Sequence, residues 1–172
     1  MTRFAFCALI AAVGLERVLE LGIAQRNAAW ASARGGVESG RGHYPFMALL
    51  HTGLLVGAVA EVWLLDRPFL PALGWSMLAL VCVCQALRYW CITSLGRQWN
   101  TRVIVVPGLR RVTDVGPYRW LRHPNYVAVV IEGIALPMVH TAWLTATIFT
   151  VLNAALLRVR LRVEEAALGA AR

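Results

Sequence analysis

Two short polar segments beside apolar stretches have the residue types needed to bind a charged organic molecule. The first is Arg122-His123-Pro124, which stands directly before an apolar stretch. Proline suits the first position of a helix, and the free N–H groups of a helix start attract negative groups. An arginine and a histidine at such a start predict a site for an anion or a nucleotide. A basic loop lying on anionic lipid headgroups is the alternative.

The second segment follows the last apolar stretch of the chain. It has arginines at positions 158, 160 and 162 and then two neighbouring carboxylates, Glu164 and Glu165. Arg160 and Glu164 are four residues apart and share one face of a helix. Two carboxylates at a membrane exit can bind a cationic group or order arginine side chains. An ordinary ion pair along the helix surface is the alternative.

Several ionisable residues lie inside apolar stretches, where charge is costly and commonly functional. Glu132 and His51 are the main candidates for function, and Glu132 lies about 13 Å along a helix from His123. Pairing between charges within a bundle, as for Arg17 with Glu20, is the structural alternative. His140, in a short turn, is predicted to face solvent.

The composition predicts a membrane protein. Of the 172 residues, 59% are hydrophobic and 15% are charged, whereas soluble domains average about 45–50% and about 25%. A globule of this size could not bury so much apolar surface, so lipid is the expected solvent. The net charge is +8, but the arginines lie between apolar runs. This placement favours loops at an anionic membrane face and argues against nucleic-acid binding.

Five apolar stretches predict an all-α membrane bundle of about five transmembrane helices, the last two forming a hairpin. The predicted spans are residues 4–24, 45–65, 71–93, 124–139 and 142–159. The polar stretch 94–123 and the C-terminal tail are predicted to form a small cap within a single domain, 1–172. The four cysteines lie in apolar runs without the spacing of metal ligands, so no metal site is expected.

The distribution of arginines predicts the orientation. With five spans, the N-terminus and the second and fourth loops share one side, which has Arg3 and Arg67. Because basic loops stay inside, the other side is predicted to be cytoplasmic and the N-terminus to lie outside the inner membrane. The arginines of the predicted cytoplasmic side stand at positions 26, 34, 41, 97, 102, 110, 111, 119, 122, 158, 160, 162 and 172.

Three motifs in order resemble the isoprenylcysteine carboxyl methyltransferase family. They are Gly116-Pro117-Tyr118, the string from Arg122 to Tyr126, and Arg160 with Glu164-Glu165, with a hydrophobic hairpin between the last two. Further upstream motifs resemble a bacterial subgroup of that family. These are Arg26-Asn27, Glu38, His43-Tyr44-Pro45, His51, Trp99-Asn100-Thr101 and Val105-Val106-Pro107-Gly108.

The resemblance implies a membrane enzyme that binds S-adenosylmethionine at its cytoplasmic side. A lipid or other lipophilic acceptor would enter the site from the bilayer. The subgroup implies O-methylation of alkylpyrones or alkylresorcinol-type phenols and a functional link to a type III polyketide synthase. By position, the residues expected around the cofactor are Tyr118, Arg122, His123, Pro124, Tyr126, Arg160, Glu164 and Glu165.

Methylation of a phenol is helped by a base, and we hypothesise that Glu132 or His51 accepts the proton. Arg88 or Arg160 would then stabilise the resulting anion. A carboxyl, thiol or phospholipid-amine methyltransferase on the same scaffold is a second hypothesis, and a carboxylate acceptor needs no base. The third hypothesis is a non-catalytic membrane scaffold or transporter subunit, which would not bind S-adenosylmethionine.

Overall fold

The chain forms a helical bundle in a computed structural model that describes residues 1–40, 42, 44–109 and 114–170, the last three as backbone only. Its helices, in the described part, confirm the predicted all-α bundle. They are α1 (Arg3–Ser32), α2 (Tyr44–Leu64), α3 (Pro71–Leu95), α4 (Pro124–Met138) and α5 (Trp143–Ala170). Some of the residues named in the sequence predictions lie outside the described residues, namely Arg41, His43, Arg110, Arg111 and Arg172.

Three of the described helices, α2, α3 and α5, are long and apolar enough to cross a membrane. Helix α4 is apolar but has 15 residues, which is about 22 Å against a hydrocarbon core of about 30 Å. Helix α1 has 30 residues, but Glu16, Arg17 and Glu20 lie in its middle. The five-helix arrangement therefore contains two helices whose own sequence gives a weaker membrane signal.

Two helices run further than the apolar pattern predicts. Helix α1 continues beyond residue 24 to Ser32, and α5 continues beyond residue 159 to Ala170. Both extensions are rich in alanine, arginine or glutamate, which favour helix without favouring lipid. The hydrophobic pattern therefore predicts the apolar part of each helix and misses the polar part that extends beyond it.

A small sheet joins the loop after α1 to the loop after α3. Strand β1 (Val37–Ser39) pairs antiparallel with β2 (Val103–Val105). Beside the sheet, the Asn27 amide of α1 donates hydrogen bonds to the carbonyl oxygens of Trp99 at 2.7 Å and Gly96 at 3.1 Å. The predicted cap thus contains two strands and is held directly to α1.

The hairpin between α4 and α5 is closely packed. A Cβ atom on Gly133 of α4 would overlap the ring of Phe149 on α5, so glycine is required for this approach. At the start of α5, the buried Glu61 carboxylate of α2 accepts hydrogen bonds from the backbone N–H groups of Leu144 at 3.1 Å and Thr145 at 2.7 Å. Glu61 thereby satisfies N–H groups that the helix itself leaves without partners.

The prediction that His140 faces solvent is wrong. Its side chain is 3% exposed, and its ring lies 5.4 Å from the ring of Phe6 and 5.8 Å from that of Phe69, between centroids. The beginning of α1 and the segment before α3 cover the hairpin turn. Neither ring nitrogen of His140 has a hydrogen-bond partner among the described residues.

Candidate functional site

The larger of two cavities among the described residues lies at one end of the bundle, where α1, α3 and α5 end and α2 and α4 begin. We call this end the cap end and the cavity the cap pocket. Its volume is about 180 Å³, and its walls come from the end of α1, the loop 95–109, the segment before α4, the first turn of α4 and α5. All of these segments except the end of α1 lie in the second half of the chain.

Six of the residues predicted to surround a cofactor line the cap pocket: Tyr118, Arg122, His123, Tyr126, Arg160 and Glu164. Pro124 is buried at the first position of α4 and does not line the cavity. Glu165 is exposed and does not line it either. Of the two neighbouring carboxylates, the structure therefore turns one toward the pocket and the other away.

Tyr126 connects the start of α4 to α5. Its hydroxyl donates a hydrogen bond to Oε2 of Glu164 at 2.6 Å and accepts one from Nε of Arg160 at 2.8 Å. The Arg160 guanidinium carbon also lies 5.3 Å from the centroid of the Tyr126 ring. The two polar segments singled out in the sequence thus meet at hydrogen-bond distance, 38 positions apart.

His123 is placed by the same two helices. Its ring stacks on the ring of Tyr126, with centroids 5.3 Å apart and planes inclined by 13°. Its Nδ1 lies 3.9 Å from Oε1 of Glu164. The Glu164 carboxylate therefore faces the imidazole with one oxygen and the Tyr126 hydroxyl with the other.

Tyr118 enters the pocket from a short 3₁₀ turn, Gly116–Arg119. Gly116 has φ +52, and a Cβ atom there would overlap the Ser94 side chain of α3, so only glycine fits. Burial raises the pKa of Tyr118 far above its ordinary value. The phenol is therefore a neutral group at physiological pH.

The cap pocket is also lined by residues that sequence reasoning did not assign to the site, among them two tryptophans and an asparagine. Trp30, Trp99 and Asn125 line the cavity, and Oδ1 of Asn125 is buried without a hydrogen-bond partner among the described residues. Asn125 could have been predicted as a pocket residue, because it lies inside the string from Arg122 to Tyr126. Trp30 lies beyond the first predicted span, residues 4–24, in the part of α1 that the apolar pattern does not predict.

A second group of ionisable residues lies in the middle of the bundle. We call Arg17, Glu20, Arg88 and Glu132, with Glu16 and Gln85, the central cluster. The Arg17 guanidinium lies 2.7 Å from both oxygens of Glu132 and 2.8 Å from Glu20. Arg88 donates from Nε to Glu20 at 3.1 Å, and Gln85 bonds to both Arg17 and Glu16. These charges are paired across α1, α3 and α4.

The four residues predicted to take part in catalysis fall into two places. Arg160 lines the cap pocket, whereas His51, Arg88 and Glu132 line a cavity of about 20 Å³ beside the central cluster. That volume holds about one water molecule. Nδ1 of His51 lies 2.8 Å from the carbonyl oxygen of Met47, one turn earlier in α2. A catalytic role for these residues stays a prediction.

The chain is similar to known proteins over both of its halves. The sequence profile of the isoprenylcysteine carboxyl methyltransferase (ICMT) family matches residues 77–170. The chain is 37% identical to "Uncharacterized protein YpbQ" of Bacillus subtilis (strain 168), covering 95% of this chain and 96% of that protein. It is 24% identical to an "Uncharacterized protein" of Haemophilus influenzae, covering 88% of each.

Proposed function

Because the chain belongs to the isoprenylcysteine carboxyl methyltransferase family, we propose that this membrane methyltransferase uses S-adenosylmethionine to methylate the hydroxyl of a lipophilic acceptor. Members of the family use that cofactor. An alkylpyrone or an alkylresorcinol-type phenol is the acceptor class we propose, with a type III polyketide synthase as a functional partner. The observation that carries the proposal is the contact between Tyr126 and Glu164 in the wall of the cap pocket.

The donors and acceptors of the cap pocket suit this cofactor. The Glu164 carboxylate can accept hydrogen bonds from an ammonium group or from ribose hydroxyls, and Arg122 can pair with a carboxylate. Trp30 and Trp99 offer aromatic surface for a purine. When bound, the cofactor supplies a methyl group on a positively charged sulfur. The chain's own contribution is to hold both reactants in line and to exclude water.

The surroundings of the pocket suit an acceptor that arrives from lipid. Trp120 and Leu121 precede His123 and are 70% and 42% exposed, and Val127 follows it by one turn and is 38% exposed. Exposed apolar and aromatic side chains at the start of a helix are compatible with a position at the level of the lipid headgroups. We propose that the cap end faces the cytoplasm, across the inner membrane from the N-terminus, because most arginines belong to this end.

A carboxylate acceptor is the second candidate, and a different observation favours it. Arg97 and Arg102 line the cap pocket in addition to Arg122 and Arg160, and guanidinium groups bind carboxylates well. Methylation of a carboxylate would need no base. The mass of the product made from a membrane lipid extract and labelled cofactor separates a hydroxyl acceptor from a carboxyl, thiol or amine acceptor.

Calorimetry with S-adenosylhomocysteine and detergent-solubilised protein tests the proposal. The matched pair of variants is Glu164→Gln, in the pocket wall, and Glu165→Gln, on the exposed side of the same helix turn. Loss of one charged hydrogen bond should weaken binding roughly ten- to a hundredfold in the first variant and leave the second close to the native protein. If the native protein does not bind S-adenosylhomocysteine, the non-catalytic scaffold or transporter subunit becomes the better explanation.

A further inference from the structure

We infer that His123, oriented by Glu164, is the base that removes the proton from the acceptor hydroxyl. This inference rests on the proposed function, since a hydroxyl acceptor has a proton to lose, whereas a carboxylate acceptor, the second candidate, has none. It gives His123 a part in the chemistry in addition to its place in the wall of the cap pocket.

A neutral hydroxyl needs a proton acceptor during methyl transfer. The oxygen–carbon bond forms as the carbon–sulfur bond of the sulfonium donor breaks, and the sulfur keeps that electron pair and becomes a neutral thioether. The electrons of the O–H bond return to the oxygen, and the proton passes to an imidazole nitrogen. Without a base the product oxygen would carry a positive charge in a poorly solvated site.

The other candidate bases, Glu132 of the central cluster and the neighbouring His51, are badly placed to accept this proton. Both oxygens of Glu132 are held by Arg17 at 2.7 Å, so a proton would compete with a close ion pair. His51 has Nδ1 at 2.8 Å from a backbone carbonyl. The cavity that these two residues line is about 20 Å³, which is too small for an aromatic acceptor.

Within the described wall of the cap pocket, His123 has the chemistry that a base requires. The pocket arginines are permanently protonated. Tyr118 keeps its proton because burial raises its pKa, and the Tyr126 hydroxyl already donates a hydrogen bond to Glu164. Histidine is the side chain that most often serves as a general base in enzymes.

The geometry resembles the carboxylate–imidazole pairs of acid–base enzymes. The Oε1 atom of Glu164 faces Nδ1 of His123 at 3.9 Å, a separation that can shorten when ligands bind. A hydrogen bond at Nδ1 would fix the tautomer in which Nε2 has a free lone pair. Stacking on Tyr126 holds the plane of the ring. The imidazole contacts Glu164 of α5 and Tyr126 of α4, and the other charged or titratable residues that line the same cavity beside it are Arg160, Arg122 and Tyr118.

Two phenols of different acidity test the inference. The probes are a pentadecyl resorcinol, neutral at the assay pH, and a long-chain nitrophenol, already ionised at that pH. At saturating cofactor, His123→Asn should lower turnover of the resorcinol roughly 10²- to 10⁴-fold more than turnover of the nitrophenol, which needs no base. Calorimetry with S-adenosylhomocysteine measures the affinity of each variant for the cofactor, so that a loss of affinity in His123→Asn is separated from the loss of the base.

A second variant protects the test against misfolding. His123→Gln should show the same contrast between the two phenols. In Glu164→Gln the pH profile of kcat/KM for the resorcinol should change, while that of Glu165→Gln should match the native protein. Equal losses on both phenols in both His123 variants would overturn the inference and leave the proposed function standing. If the native protein binds S-adenosylhomocysteine but methylates neither phenol, both the hydroxyl acceptor and the base are rejected.

Discussion

The central cluster and the cap pocket use the same residue types in opposite ways. In the central cluster, Arg17 and Arg88 meet Glu20 and Glu132, and each of these four charges has an opposite partner in the protein. In the cap pocket, charged residues surround a cavity of about 180 Å³, and the buried Oδ1 of Asn125 has no partner among the described residues. The first arrangement is complete by itself, whereas the second has room and polar atoms for a ligand.

The comparison changes how ionisable residues in apolar helices are interpreted. Such residues suggest function by default, and Glu132, His51 and Arg88 were chosen on that ground. Paired charges can equally fix how helices rotate and contact one another, because an unpaired charge in lipid is penalised heavily. The presence of a ligand-sized cavity is therefore the better criterion for a binding site than the presence of charge.

The largest effect that we expect is on the central cluster. Arg17→Met leaves the buried Glu132 without its cation and should lower the free energy of unfolding by about 3–5 kcal/mol. Chemical unfolding in detergent, followed by circular dichroism, measures this change. A variant as stable as the native protein would show that the cluster does not hold the helices together.

The matched control removes both partners. Because no charge is then left unpaired, Arg17→Met combined with Glu132→Met should recover most of the lost stability. Turnover retained by this double variant would also exclude Glu132 as the proton acceptor. A double variant without turnover that binds S-adenosylhomocysteine normally would restore Glu132 as a candidate.

A smaller effect on folding is expected in the cap pocket. Tyr126→Phe removes one hydroxyl that bonds to both Glu164 and Arg160 and should cost about 1–2 kcal/mol of stability. Binding of S-adenosylhomocysteine should fall by about tenfold, since the pocket wall loses its connection between α4 and α5. Tyr89→Phe, on a tyrosine that is 69% exposed, is the control. Unchanged binding in Tyr126→Phe would contradict the role of the pocket.

The sequence was sufficient to predict the helices. It was also sufficient to predict that the two polar segments meet at the cap end. Apolar runs of membrane length, and Pro124 directly before one of them, are local features. It was not sufficient to predict the pairing of Arg17 with Glu132, which are 115 positions apart. Packing between helices decides how each helix is rotated about its axis, and therefore which side chains meet. The same limit explains the strand pairing of Val37 with Val105 and the burial of His140.

The smallest expected effect tests the cavity criterion at the other end of the bundle. His140 also has polar atoms without partners among the described residues, but it is packed between the rings of Phe6 and Phe69 and lines neither described cavity. Buried polar atoms of this kind reduce stability. His140→Leu should therefore raise the free energy of unfolding by about 1 kcal/mol and leave S-adenosylhomocysteine binding unchanged. A loss of stability would mean that the imidazole makes a hydrogen bond that the hairpin needs, and that unpartnered atoms alone are a poor guide to where ligands bind.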